Sequence, residues 1–352
     1  MARITKSWMV AVLAFGIGVA ACKKDEKKPE GTPAGSGAAP TTAEKPPADK
    51  VTSPGVAATK AMASGDDLSL IPADSELVMG LNFAQLQKSA LWKKFVEPQM
   101  VKPEFQTKLA EFKDKCGFDP MTSIQSLSLG MKNVGAKGGA TPDGVVVVHG
   151  LDKAKTTSCL TKMKAEIEKD GTKLTDDGGI YTFAKDNNSV GMTFVNDSTA
   201  VMVVGANGNV NGVKAATAGN SALKTSPAFI DMFSKIKTGD SLWLLANGNS
   251  PMFDKAGALG VKPKAVFGSV NVTDGLTLDL RVRLNTPDEA TSLANMVQGQ
   301  AKQAAQMFDK FDVGTEAADL KLSVAMSTQK LEQLIGQIMA LAGGMGGGMG
   351  GP

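Results

Sequence analysis

Few side chains in this chain have the type and spacing to do chemistry, and the cysteines come first among them. Cys22 follows Val19-Ala20-Ala21. Small residues let an extended chain enter a peptidase cleft, and the thiol is the only good nucleophile there for accepting lipid. The remaining cysteines, Cys116 and Cys159, are an even pair; in an exported, oxidising setting they are expected to form a disulfide. The one histidine, His149, has the parity of Val145 and Val147 and is expected at a strand-end core position. A single histidine also rules out His-rich metal sites. Gly205 to Gly212 is glycine-rich, yet it matches neither a dinucleotide fingerprint nor a P-loop and reads as a strand-to-helix turn. Asp186 to Gly191 with Asp197 has half the pattern of a calcium loop, but Val190 occupies a required oxygen-ligand position, which favours a hairpin turn. No G-x-S-x-G, S-x-x-K or paired-carboxylate arrangement stands out. We therefore expect no catalytic residue, no cofactor and no metal, and read the chain as something other than an enzyme.

What surrounds Cys22 makes it informative. Arg3 and Lys6 form a positive start, and Trp8 to Ala21 is an apolar run shorter than the about 20 residues that a bilayer requires, so it reads as a secretion signal. With its closing Val-Ala-Ala-Cys, the segment resembles the lipobox of bacterial lipoproteins. That resemblance implies diacylglycerol on the Cys22 sulfur, cleavage before Cys22 and acylation of the new amine. One acyl chain holds marginally and two hold stably, so such an anchor is permanent. Lys23 stands where enterobacterial lipoproteins kept in the inner membrane carry Asp; by that analogy the destination is the outer membrane, with the side it faces left open.

Composition narrows the partners. Lysine plus arginine number 38 against 35 acidic residues, and removing Arg3 and Lys6 with the leader leaves the mature chain close to neutral. Nucleic-acid binding needs clustered basic residues and is not expected. Tyr181 is the one tyrosine, and Trp92 and Trp243 are the tryptophans beyond the leader, too few for stacking platforms. Methionines such as Met79, Met163 and Met296 read as core filling. The sharper alternative is a plastic groove for lipid or another apolar ligand.

The chain divides by composition into a leader (1–21), the lipidated cysteine with a Pro/Ala/Lys-rich tether (22–64), a first unit (65–225), a second unit (226–342) and a Gly/Met-rich tail (343–352). The tether and tail lack the large apolar residues needed to offset ordering entropy and are expected to be disordered. As a flexible coil the tether reaches roughly 35–40 Å. Within the body, Ile71 to Asn82 aligns on Ile236 to Asn247, and Val145 to Met163 aligns on Leu278 to Met296, an internal duplication. The extra residues of the first copy fall between Asn82 and Val145. The natural insertion runs near 98–120, where Phe105, Leu109 and Phe112 make one helical stripe and Cys116 could staple it to the helix carrying Cys159.

The coarse reading gives strands over 76–81, 124–132, 143–150, a meander between 179 and 204, and strands over 241–246, 265–272, 276–284 and 319–325. Helices are expected over 84–96 and 153–169, after Thr286-Pro287-Asp288-Glu289, and at the C-terminal end. Short turns between strands mean antiparallel pairing. The class is α+β, with helices packed on one face and a duplicated β-α-β-β-α-β unit. In the second copy Leu278, Leu280 and Val282 share one face and Asp279, Arg281 and Arg283 the other. By the alignment, Val146 and Val148 replace those charges and need apolar cover, while Cys159 falls on Ser292.

Lipobox, low-complexity tether and duplicated α+β body together are similar to uncharacterised Gram-negative envelope lipoproteins of the delta-proteobacterial kind. The similarity implies no activity. The leading expectation is a non-catalytic, membrane-tethered binding or structural module of the cell envelope whose partner is an envelope protein or an apolar ligand. A carrier or chaperone of lipid or other apolar cargo comes second and an enzyme third.

Overall fold

Alternating and β-branched runs of this sequence become strands because each places one face of a pleated ribbon against apolar cover. The computed structural model describes residues 67–134, 142–169, 171–186, 188–220, 222–253 and 262–345, without the side chains of 301–305 and 338–345. Cys22, the leader, the tether and the last residues of the tail lie outside the described residues. The strands are β1 (Leu77–Asn82), β2 (Ser126–Lys132), β3 (Asp143–His149), β4 (Lys173–Asp177), β5 (Ile180–Lys185), β6 (Asn188–Phe194), β7 (Thr199–Val204), β8 (Leu242–Asn247), β9 (Ala265–Asn271), β10 (Leu276–Arg283), β11 (Lys310–Glu316) and β12 (Asp319–Met326). They form a 12-stranded sheet in the order β11-β12-β10-β9-β8-β1-β2-β3-β7-β6-β5-β4. Each pairing is antiparallel. The class is α+β, as expected.

The helices are α1 (Phe83–Leu86), α2 (Glu97–Met100), α3 (Pro103–Cys116), α4 (Pro120–Ser123), α5 (Lys153–Lys169), α6 (Val210–Ala218), α7 (Pro227–Phe233), α8 (Pro287–Ala304) and α9 (Thr328–Met345), with a π-helical turn at Trp92–Val96 ahead of α2. The expected start of α8 is realised: Thr286 Oγ1 accepts from the Glu289 N–H at 3.2 Å, and Glu289 accepts from the Asn285 N–H at 3.0 Å. The single helix expected over 84–96 is instead α1, a break and the π-helical turn.

Two like halves meet at the β1–β8 seam. Leu77 corresponds to Leu242, Ser126 to Ala265, Val146 to Leu280 and Thr199 to Asp319. The first half adds the helical excursion over 83–125 and the β4–β5 hairpin. The sequence alignment slipped by one residue at β3, because Val145 to Val148 is apolar on both faces and a slip of one leaves the pattern unchanged. His149 therefore corresponds to Arg283 rather than Val282, and Cys159 to Leu293 rather than Ser292. The two unpredicted strands, β4 and β11, are the edges of the sheet. They carry Lys173, Asp176 and Asp177, and Lys310, Asp312 and Glu316, the polar composition by which edges resist further pairing.

One face of the sheet is closed by short segments. Leu68, Ile71, Leu223, Phe229 and Ile236 pack on Val78, Val147, Trp243, Leu245 and Phe267. Beside them Val213 of α6 seats on Val145, Val201 and Val203. Gly191 makes that approach possible, since a Cβ there would meet Val213 Cγ2 at 2.6 Å. The long helices α5 and α8 share the opposite face, so the short helices add a second layer to the expected one.

Candidate apolar binding face

Register assigns every strand residue to a face. Across the middle of the sheet, Met192, Met202, Val146, Leu129, Met79, Leu244, Gly268, Leu280, Leu322 and Val313 stand in one row on the face shared by α5 and α8. A second row runs Phe194, Ala200, Val148, Leu127, Leu81, Leu242, Val270, Leu278, Val324 and Phe311. Neither row contains a polar or charged side chain. Charged residues of the same strands, Asp279, Arg281, Arg283, Lys321 and Asp319, have the opposite parity and lie on the other face.

Burial along these rows is uneven. Toward one flank Val146, Val148, Met192 and Met202 are buried, and so are Leu160, Met163 and Ile167 of α5. The α5 side chains belong to neither cluster of the other face, and the helix packs on β4 at that flank. Toward the other flank Leu320 and Val324 are buried, and α8 packs on β11 and β12 with Ala290 and Ala294 inward. Between the two flanks every large side chain of this face on β1, β8, β9 and β10 is only half-buried: Leu77, Met79, Leu81, Leu242, Leu244, Val266, Val270, Leu278, Leu280 and Val282. The result is an apolar trough across four adjacent strands, roughly 15 Å wide at about 4.8 Å per strand. Just beyond Asn82, Trp92 packs edge-on against Phe83 with ring centroids 5.3 Å apart, and Lys94 of the same turn pairs with Glu332 of α9.

No protein-family model matches the chain, and no curated protein matches it. Solved structures similar to it include TP0453 in crystal form III, at 11% identity and a TM-score of 0.48 over 76% of this chain and 96% of that one. Crystal form IV of TP0453 matches at 10% identity and a TM-score of 0.44, over 76% of this chain and 95% of that one.

The sequence-predicted positions separate clearly. Cys116 and Cys159 are brought together with their sulfurs 2.00 Å apart, joining the end of α3 to α5, and Met163 Sδ lies 3.4 and 3.5 Å from the two sulfurs. Lys115 and Glu166 pair beside them at 2.6 Å. Phe105, Leu109 and Phe112 are half-buried as a stripe, so the insertion lies over α5 rather than on the sheet. Met296 is 46% exposed and fills no core; on α8 it lies two residues from inward-facing Ala294, on the far side of the helix. His149 has the expected parity but is half-buried and polar-bonded rather than a core packing residue. Its Nε2 is 2.9 Å from Oδ1 of buried Asp67, and its Nδ1 is 3.2 Å from Thr199 Oγ1. Gly205 to Asn209 forms the turn into α6, capped by Asn209 accepting from the Gly212 N–H at 3.1 Å. Asp186 is a hairpin residue with φ 54°.

The matching position in the second half carries an ion pair. Arg283 donates through Nε and Nη2 to both oxygens of Asp319 at 2.7 and 2.9 Å, and through Nη1 to Asp231 at 2.8 Å. Burial alone would raise the Asp319 carboxyl, but the Arg283 bonds and the Arg283 and Lys235 charges outweigh it and hold the group below its ordinary value. Among the described residues no group of three or more His, Cys, Asp or Glu could hold a metal ion, and no described helix is long and apolar enough to cross a membrane. The trough was missed in the sequence because β1 and β8 are apolar on both sides, with Val78 and Trp243 alternating with Met79 and Leu244, so neither face announces itself.

Proposed function

We propose that this protein is a non-catalytic binding module of the cell envelope, held at the outer membrane by lipid on Cys22, and that the trough is its binding site for apolar cargo. One observation supports this reading: two rows without a polar side chain run from β6 to β11, and every large side chain of that face on the middle four strands is half-buried, whereas Met192, Met202, Val146, Val148 and Leu129 toward one flank and Val324 toward the other are buried. A face of that kind offers dispersion and desolvation but no hydrogen-bond handle, which suits a fatty acyl chain better than a peptide, a nucleotide or a sugar. Met79, between Leu129 and Leu244 in the row, gives the surface an adaptable thioether. The cargo is therefore a lipid whose acyl chains lie in the trough.

The test is native mass spectrometry, with lipid extraction, of the mature chain bearing Cys22→Ser and purified in mild detergent. Co-purified acyl lipid, displaced by a fluorescent fatty acid, is the expected result. An empty protein that does not bind the fluorescent fatty acid would overturn the cargo reading. Intact mass of the protein from membranes should show the diacylglyceryl and acyl additions on Cys22; a free thiol there would remove the anchor.

A further inference from the structure

We propose that α9 is the gate of the trough, hinged at Asp309 and latched by Lys94–Glu332, and that it swings off the strands to admit an acyl chain. The helix is held on two sides. Lys330 Nζ pairs with Asp309 at 2.8 Å and donates to the Phe308 carbonyl at 3.1 Å, where the chain leads from α8 into β11. Two residues on, Glu332 pairs with Lys94, in the turn that follows β1. The strands of the trough, β10, β9, β8 and β1, lie between these two anchors in the sheet order. Side chains leave a helix about 100° apart, so Lys330 and Glu332 point about 200° apart and Leu331 lies midway between them. Leu331 is 5% exposed, so that middle direction is inward. Leu334 and Ile335 fall within about 60° of it and are half-buried, while Gln333, Gly336 and Gln337 on the far side are exposed.

Register fixes which end of the trough the helix meets. It starts two residues after Met326, and Val324 of β12 stands in the row of Leu278, Val270, Leu242 and Leu81. Both anchors belong to the trough side, since α8 lies there and the excursion over 83–125 lies over α5. The two anchors differ in strength. Asp309 accepts from the Ser327 N–H at 2.5 Å as well as from Lys330, so this side is the hinge. The other side is one exposed ion pair, with Lys94 and Glu332 side chains 49% and 31% exposed, and such pairs hold weakly. An acyl chain can take the place of Leu331, Leu334 and Ile335 against apolar rows without leaving a polar group unpaired. The gate rests on the cargo reading above and adds how the cargo enters.

The experiment is stopped-flow uptake of a fluorescent fatty acid by the mature chain carrying Cys22→Ser. Glu332→Lys, which breaks the latch, should speed uptake about three-fold, and adding Lys94→Glu should restore the parent rate by reversing the pair. Glu168→Lys is the control: it breaks the exposed Lys164–Glu168 pair of α5 and should change nothing. The Lys94→Cys, Glu332→Cys double variant, bridged by a bis-maleimide, should take up the fatty acid at least ten-fold more slowly than the same variant capped with a monofunctional maleimide. Thermal melts confirm that each variant is folded. A bridged protein that fills as fast as the capped one, or equal acceleration by Glu168→Lys and Glu332→Lys, would overturn the gate while leaving the cargo reading intact. A parent that takes up no fatty acid would remove both.

Discussion

Gly80 and Trp243 stand directly opposite each other across the β1–β8 seam, and a Cβ on Gly80 would lie 2.0 Å from the indole Nε1. The indole is 2% exposed and packs edge-on to Phe233 at 5.2 Å, so it has no room to withdraw. The two halves of the sheet can join only because this residue lacks a side chain. Gly80→Ala should cost about 2–3 kcal/mol as an overpacking change, read as a lower urea midpoint with altered tryptophan fluorescence. Unchanged stability would mean that the seam tolerates a shifted indole.

Acid should act first on the second half. Asp319 is buried and its folded pKa is lowered. Its contribution is therefore complete above the ordinary carboxylate range, about pH 4, and is lost as pH falls through the lowered folded value. Asp319→Asn leaves the partly buried Arg283 and Lys235 without their shared carboxylate and should cost about 3 kcal/mol at neutral pH. It should also flatten the acid limb of stability against pH. Chemical denaturation at several pH values checks both, and an unaltered acid limb would place that pH dependence elsewhere.

Legibility followed local alternation. Where one face is apolar and the other charged, as in Leu278-Asp279-Leu280-Arg281, the strand, its sidedness and its following helix were all readable, down to the Thr286–Glu289 cap. Where both faces are apolar, as in Val145 to Val148, the strand was readable but its register was not, and that single slip mislocated the counterparts of His149 and Cys159. Edge strands β4 and β11 were hidden because an edge is selected to look unlike a strand. The trough arises from which side chains two helices leave uncovered, a property of packing between distant segments that no local pattern carries.

Cys116 and Cys159 are joined and both 4% exposed, so thiol counting on protein purified and then unfolded without reductant should find neither of them free. The bond fastens α3, a helix whose remaining residues are largely exposed, to α5. Cys116→Ser with Cys159→Ser should lower stability by about 2–4 kcal/mol and make the Lys108–Lys113 stretch the first site of trypsin cleavage. Protection of that stretch in the variant would mean that Lys115–Glu166 and the Phe105, Leu109 and Phe112 stripe hold α3 without the disulfide.

The trough should be separable from the fold that builds it. Leu244 lies mid-row between Met79 and Gly268, half-buried on the trough face, while its neighbours Trp243 and Leu245 point into the opposite core. A larger side chain at Leu244 therefore grows on the face where Leu244 is half-buried rather than into the fully packed opposite core. Leu244→Trp should weaken binding of a fluorescent fatty acid at least ten-fold while changing the urea midpoint by less than about 1 kcal/mol, since the space it fills is not required for packing. The same substitution at Val201, which is buried at 0% on the other face, should unfold the protein. If Leu244→Trp binds the fatty acid as the parent does, the cargo does not lie on these four strands.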